Sequence, residues 1–374
     1  MPLSFDAIPP FPDNLPLAPI AIISYQKLLN GDHDEAGRVL EAAKTYGFFY
    51  LDLQDTAQGE TLLTESEQLH ALARNAFALP LHEKLQYALQ RGVSLFGYKP
   101  AGTVKATDRD QRPDTTEFLN ISKDHLHNIH TPTTRSYPPQ VDAHKPLLQS
   151  FTRHSHDCGM LVLRTLASQL NLPPDTFTSL NLFDHPSGDH CRLTHTTTTP
   201  HSSETTTTTT TTATTNSSSS PIGLASHTDF GSVTLLFNWQ GGLQIESPPQ
   251  LTQEGGGKPD REWEWVKPLP GHAIINLGDA MVTFTNGTLK SAKHRVVPSS
   301  PAAAQGTAAP EDRYSVVYFV RPHNSVLMKP LPGEYDSEAA VKVGGKFSAR
   351  PPLGENQVLT AEEWMRQRAV QLGN

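Results

Sequence analysis

Cysteine is nearly absent from this chain, with only Cys158 and Cys191 among 374 residues. Two thiols cannot staple a chain of that length, which suits a reducing compartment and leaves the fold to a hydrophobic core. Positive charge is also in deficit: 30 Lys and Arg stand against 38 Asp and Glu, a formal net charge of −8. With a pI near 6.1, no broad basic surface is expected, so neither nucleic acid nor an anionic membrane is an expected partner. Long apolar runs are missing too. The stretch Leu17 to Ile23 is far shorter than the roughly 20 residues needed to span a bilayer. No basic segment followed by an apolar one opens the sequence. The expectation is a soluble, cytoplasmic monomer that acts on a small molecule.

Proline, by contrast, is plentiful. At 31 of 374 residues it makes up roughly 8%, against a typical ~5%, so long connections and edge strands are expected. The N-terminal third reads as helical with a little strand. Residues 34–46 carry Val39, Leu40 and Ala43 at helical spacing behind an acidic first turn, and Gly47 closes the run ahead of a short buried strand at 48–51. A second helix is predicted from about Thr61 to Phe77, stopped by Leu79-Pro80. A long one is predicted from about Lys145 to Leu170, closed by Pro173-Pro174.

From about Cys191 the texture changes to short strand-like runs broken by Gly and Pro: 232–237, 243–246, 273–277, 293–297 and 314–320. Turns at such intervals predict a sandwich or jelly roll rather than a parallel sheet with crossover helices. Residues 196–220 are almost entirely Thr and Ser. Such a tract buries too little apolar surface to offset its ordering entropy, and it reads as a disordered loop inserted between two strands. Residues 301–310 read as a second surface loop. Thr360-Ala361-Glu362-Glu363 is a capping box ahead of a terminal helix to about Gln371.

The chemistry-bearing residues lie in this second half. His227-Thr228-Asp229 is the only His-x-Asp in the chain, and alternate residues of a strand share a face, so both side chains can reach one ion. His294, 65 residues beyond Asp229, must arrive from another strand. Two imidazoles and a carboxylate form the facial triad that holds non-haem Fe(II) while leaving coordination positions open. Arg313 and Ser315, two apart on the run 313–320, offer a fork and a hydroxyl suited to a carboxylate. Decoys exist among the 17 histidines. The pairs 125/127 and 154/156 lack strand context and carboxylate partners. Arg153-His154-Ser155 sits in a helical stretch, where positions two apart do not share a face.

These segments resemble the iron- and 2-oxoglutarate-dependent dioxygenases of the isopenicillin N synthase-like superfamily. The carrying stretches are SHTDFGSVTLL (226–236), GGLQI (241–245), PGHAIINLGDAM (270–281), NGTLKSAKHRVV (286–297) and DRYSVVYFV (312–320). YGFFYL (46–51), FALPLHEK (77–84), FGYKPAG (96–102) and DTTEFLNIS (114–122) match the family's helical region. The resemblance implies a mainly β fold with flanking α, a double-stranded β-helix (jelly roll) core and a helical N-terminal region. It also implies three parts: 1–180 helical, 181–330 binding Fe(II) and 2-oxoglutarate, and 331–374 tail and helix.

By the same resemblance, His227, Asp229 and His294 match the catalytic iron ligands, and Arg313 and Ser315 match the pair that takes the distal carboxylate of 2-oxoglutarate. Asn276, Gly278 and Asp279 match a recurrent turn read as structural. The implied reaction consumes Fe(II)-bound O2 and 2-oxoglutarate, releases succinate and CO2, and hydroxylates, desaturates or cyclises a small metabolite. An oxidase that needs no 2-oxoglutarate uses the same triad, and a non-catalytic binding module would keep the fold alone.

One departure concerns the cosubstrate. The family's tyrosine after the strand 191–195 is replaced by Thr196, so either His195 or a neighbour substitutes, or cosubstrate binding is weaker. Tyr98, Phe118, Phe230, Phe284, Phe319 and Arg321 are loose candidates for the substrate pocket. The threonine homopolymer and DTTEFLNISKD point to a filamentous-fungal member of the kind associated with secondary metabolism.

Overall fold

Antiparallel pairing of short strands into two sheets decides the architecture. The computed structural model describes residues 11–12, 14–90, 93–103, 113–129, 135–198, 222–248, 262–297, 311–333 and 358–371. Its strands are β1 (Ile22–Ser24), β2 (Phe48–Asp52), β3 (Gly97–Lys99), β4 (Thr116–Ser122), β5 (His190–Thr196), β6 (Leu224–His227), β7 (Val233–Asn238), β8 (Leu243–Glu246), β9 (Trp263–Trp265), β10 (His272–Leu277), β11 (His294–Val296) and β12 (Arg313–Val320). They form an eight-stranded sheet in the order β1-β2-β10-β7-β12-β5-β4-β3 and a four-stranded sheet in the order β6-β11-β8-β9. All pairings are antiparallel except β1 with β2.

On the larger sheet Leu119, Cys191, Leu193, Val233, Leu235, Ile275, Val316 and Tyr318 belong to the main core. That face is covered by the helices Ala57–Phe77 and Lys145–Gln169. The opposite face looks toward the smaller sheet, where Phe48, Tyr50 and Ile274 pack against Leu243 and Ile245 in a second cluster. Two sheets facing each other, one backed by helices, make the expected jelly roll.

The predicted helices are present, with moved ends. Helix His33–Thr45 starts at an Asp32 side-chain cap. Gly47 then turns the chain with φ +68°, and a Cβ there would sit 2.1 Å from the Lys290 carbonyl oxygen, so only glycine fits. The second helix begins at Ala57 rather than near Thr61, because the Thr56 hydroxyl accepts from Gly59 N at 3.0 Å and caps it earlier. The capping box at Thr360 is reciprocal: Glu363 N donates to the Thr360 hydroxyl at 3.3 Å, and Thr360 N donates to the Glu363 carboxylate at 2.9 Å.

The N-terminal region is less helical than expected. β1 to β4 lie within residues 22–122 and supply half of the larger sheet, with β2 pairing β10 and β4 pairing β5. Nor does the threonine tract begin at Thr196, which is the last residue of β5 and fully buried. Residues 199–220 and 301–310 lie outside the described residues. Among the described residues, no helix is long and apolar enough to cross a membrane.

Candidate metal centre and anion receptor

His227 ends β6 and stands directly opposite His294, the first residue of β11. Their ring centroids are 4.3 Å apart. Asp229 lies two residues beyond His227, past the strand end, so strand alternation is not what aims it. Its backbone carbonyl accepts from Asp279 N at 2.8 Å. That approach is possible because residue 278 is glycine: a Cβ there would meet the Gly231 oxygen at 2.2 Å and the Asp229 oxygen at 2.9 Å.

Each Nε2 of the two histidines lies 3.8 Å from Asp229 Oδ1, and one donor atom from each of the three residues falls within 4.8 Å of the others. Bonds of about 2 Å to a shared ion need donors at most about 4 Å apart, so the three atoms have only to draw slightly inward to share one. His227 Nδ1 faces the Ala225 carbonyl at 2.8 Å and His294 Nδ1 the Ala292 carbonyl at 3.4 Å. A proton held on each Nδ1 leaves each Nε2 lone pair free for a metal. Asp229 Oδ2 accepts from Thr234 Oγ1 and from Asn276 Nδ2, both at 2.7 Å, so Oδ1 is the free oxygen.

Electrostatics agree with ligation at neutral pH. Burial, helped by the neighbouring His294 ring, lowers His227 to about 4. Burial alone would raise Asp229, but His294, His227 and the bonds from Asn276 and Thr234 outweigh it and hold the carboxyl at about 2. Neutral imidazole and ionised carboxylate are the forms a cation needs. Behind the centre, Thr228 donates to Asp279 at 2.9 Å, and Asp279 pairs with Arg368 of the terminal helix at 3.2 Å.

Arg313 and Ser315 lie on the same face of β12, and both line one cavity with His227, Asp229 and His294. Arg313 is buried, donates to Ser315 Oγ at 3.3 Å, and its Nε has no hydrogen-bond partner among the described residues. Burial lowers it only to about 10, so the guanidinium stays charged. A buried cation so poorly partnered is costly unless an anion meets it. The Ser315 and Thr194 hydroxyls share a hydrogen bond.

A family model described as the 2OG-Fe(II) oxygenase superfamily matches residues 183–322, and one for the N-terminal part of non-haem dioxygenases matches residues 20–142. A 2-oxoglutarate-dependent dioxygenase of Amanita muscaria is 33% identical over 53% of this chain and 82% of its own length. The chain belongs to the 2OG-Fe(II) oxygenase superfamily. Another 2-oxoglutarate-dependent dioxygenase, from Aspergillus fumigatus, is 29% identical over 96% of this chain and 90% of its own. The fold is that of a full-length Neurospora crassa protein crystallised in complex with alpha-KG, with TM-score 0.67, 21% identity, and 96% and 97% of the two chains covered. As a member of the superfamily the protein is a non-haem oxidoreductase requiring Fe(II), 2-oxoglutarate and O2.

Several expectations need correction. His195 does not substitute for the missing tyrosine. It points to the other face of β5, between Glu117 at 2.8 Å and Asp312 at 2.9 Å, stacked on Tyr314. Thr196 faces the cavity, with its hydroxyl 2.8 Å from that of Thr116. Asn276 is more than a turn residue, since it fixes the oxygen of Asp229. Of the loose pocket candidates only Phe319 lines the cavity. Tyr98 bonds to Glu117, Phe118 packs on Arg192, Phe230 lies against Trp364 and Phe284 is core. The decoys have ordinary partners: Arg153 pairs with Asp184, His154 with Glu65, and His127 bonds to Thr152.

Thr194, Thr234 and Arg192 escaped the sequence reading. A signal was present. In β5, apolar Cys191 and Leu193 alternate with polar Arg192, Thr194 and Thr196, a pattern that marks a polar cavity face on a core strand.

Proposed function

We propose that His227, Asp229 and His294 hold the Fe(II) of this oxygenase, and that Arg313 and Ser315 receive the distal carboxylate of 2-oxoglutarate. The supporting observation is that three outward-facing ligand atoms and one buried, under-partnered guanidinium share a single cavity. Bound Fe(II) supplies the oxygen chemistry, coupling oxidative decarboxylation of 2-oxoglutarate to oxidation of a substrate C–H bond. The rest falls to the chain. Asn276 and Thr234 keep Asp229 Oδ2 engaged so that Oδ1 faces the metal. Arg313 offers a rigid fork that orients the cosubstrate along β12. Leu236, Leu243, Val296 and Val317 line the cavity with apolar surface, which disfavours water around the reacting atoms.

The test is succinate. Purified protein with Fe(II), O2 and 2-oxoglutarate should form succinate, and His227→Ala should fall to the metal-free background. Undiminished succinate in that variant sinks the ligand assignment. A substrate oxidised without matching succinate would move the protein to the class of oxidases that need no 2-oxoglutarate.

A further inference from the structure

A second guanidinium lines the same cavity and is not used by the iron or cosubstrate roles above. Arg192 shares the cavity face of β5 with Thr194 and Thr196. Its Nε donates to Asn120 Oδ1 at 2.7 Å, and Asn120 is itself fixed by donating to the Leu95 carbonyl at 2.6 Å. The guanidinium carbon lies 4.2 Å from the Phe118 ring centroid and 4.8 Å from that of Phe319. This holds the fork between two aromatic faces. Among the described residues, no carboxylate lies within ion-pair distance of Arg192, and its two terminal nitrogens make no hydrogen bond. Arg321 stands 5.5 Å from the same Phe319 ring, its own Nε buried and without a partner among the described residues, so the two cations raise the local positive potential together.

Position separates Arg192 from the anion receptor. In the register of β5 with β12, Thr196 is opposite Arg313, while Arg192 is opposite Val317. Four residues of strand, roughly 13 Å at about 3.3 Å each, divide the roots of the two guanidinium arms. Charge points the same way. Among the lining residues only Arg192, Asp229 and Arg313 carry full charge. Bound Fe(II) and doubly ionised 2-oxoglutarate would cancel, and the single Asp229 carboxylate, which also acts on Arg192 and Arg321, leaves the lining with a net positive charge.

We propose that Arg192, clamped between Phe118 and Phe319 and reinforced by Arg321, recognises the substrate and selects a small organic acid through its carboxylate. This rests on the assignment of the cavity as the oxygenase site. A carboxylate met by two parallel N–H donors from a fixed fork binds with both strength and direction. It would hold the rest of the substrate in place relative to the ligand group.

The test uses the full chain loaded with Fe(II) and 2-oxoglutarate under argon, titrated calorimetrically at pH 7 with matched probes. These are benzoate and benzamide, phenylacetate and phenylacetamide, and cyclohexanecarboxylate and its amide. At least one acid should bind about tenfold more tightly than its amide. That preference should shrink to about twofold in Arg192→Gln and survive in part in Arg192→Lys, with the melting temperature of each variant reported alongside. Amides binding as tightly as acids, or no acid binding at all, overturns the proposal. So does a loss in Arg192→Gln that falls on 2-oxoglutarate affinity instead, which would assign Arg192 to the cosubstrate. Succinate formed without added probe separates the two readings. Succinate with no acid preference sinks only the recognition role, whereas no Fe(II)-dependent succinate sinks the site assignment beneath it.

Discussion

On the smaller sheet and the loop beside it, His227, Asp229 and His294 each have one side-chain atom engaged by the protein and one left facing the shared point. On the larger sheet, Arg313 and Arg192 are anchored at one nitrogen and leave others unmatched. The proposed metal wall is therefore held in place by the protein's own hydrogen bonds, while the cationic wall carries a polar deficit that an anion would relieve. Neutral histidines tolerate burial without a partner far better than a guanidinium does. Hence the two walls should respond differently to damage.

The largest difference should follow Arg313→Ala. Removing the fork is expected to raise the KM for 2-oxoglutarate about a hundredfold, on the order of 3 kcal/mol. Fe(II) affinity, measured by chelator competition, should stay within about twofold. An equal loss on both would mean that the walls are not independent.

A change of pH probes the support behind the cationic wall. His70 packs against Trp239 and Tyr314, and burial, with Arg74 nearby, lowers it from 6.5 to about 4. Its folded value is depressed, so its contribution is fully present above pH 6.5 and is lost as pH falls toward 4. His70 should contribute about 2 to 3 kcal/mol to the loss seen on melting the metal-free protein across that window, in addition to the contributions of His227 and His127. A His70→Phe variant should make the dependence shallower by that amount, and an unchanged slope would assign none of the acid sensitivity to His70.

The smallest effect should come from Asn276→Ala. Freeing Asp229 Oδ2 is expected to weaken Fe(II) binding about tenfold while leaving the KM for 2-oxoglutarate nearly unchanged. A rise in that KM as large as the loss of metal affinity would show that Asn276 serves both walls.

Much of the site was legible in the chain because its members sit on, or next to, strands with a period of two. Arg313 and Ser315 share a face for that reason, and β7, β8, β10, β11 and β12 were located within a residue or so by their turns. The less legible elements are those whose pairing is remote. β4 is wholly buried because it lies between β3 and β5 in a sheet whose other members are up to two hundred residues away, and nothing local in 116–122 announces those neighbours. Asp229 was placed in the site for an incomplete reason: the Gly278 contact, not strand alternation, aims it. Asn276 was read only as part of a structural turn, because its partner Asp229 lies 47 residues away.

The order of residues by itself determined which side chains could ligate a cation, which could take a carboxylate, and that a sandwich of short antiparallel strands would carry them. These follow from donor chemistry and from backbone periodicity, both local properties. Tertiary structure alone decided which histidine faces the cavity, which oxygen of Asp229 is left free, and that Arg192 rather than His195 looks inward. Those outcomes depend on the register between strands distant in sequence, and a shift of one residue there would turn every side chain to the opposite face.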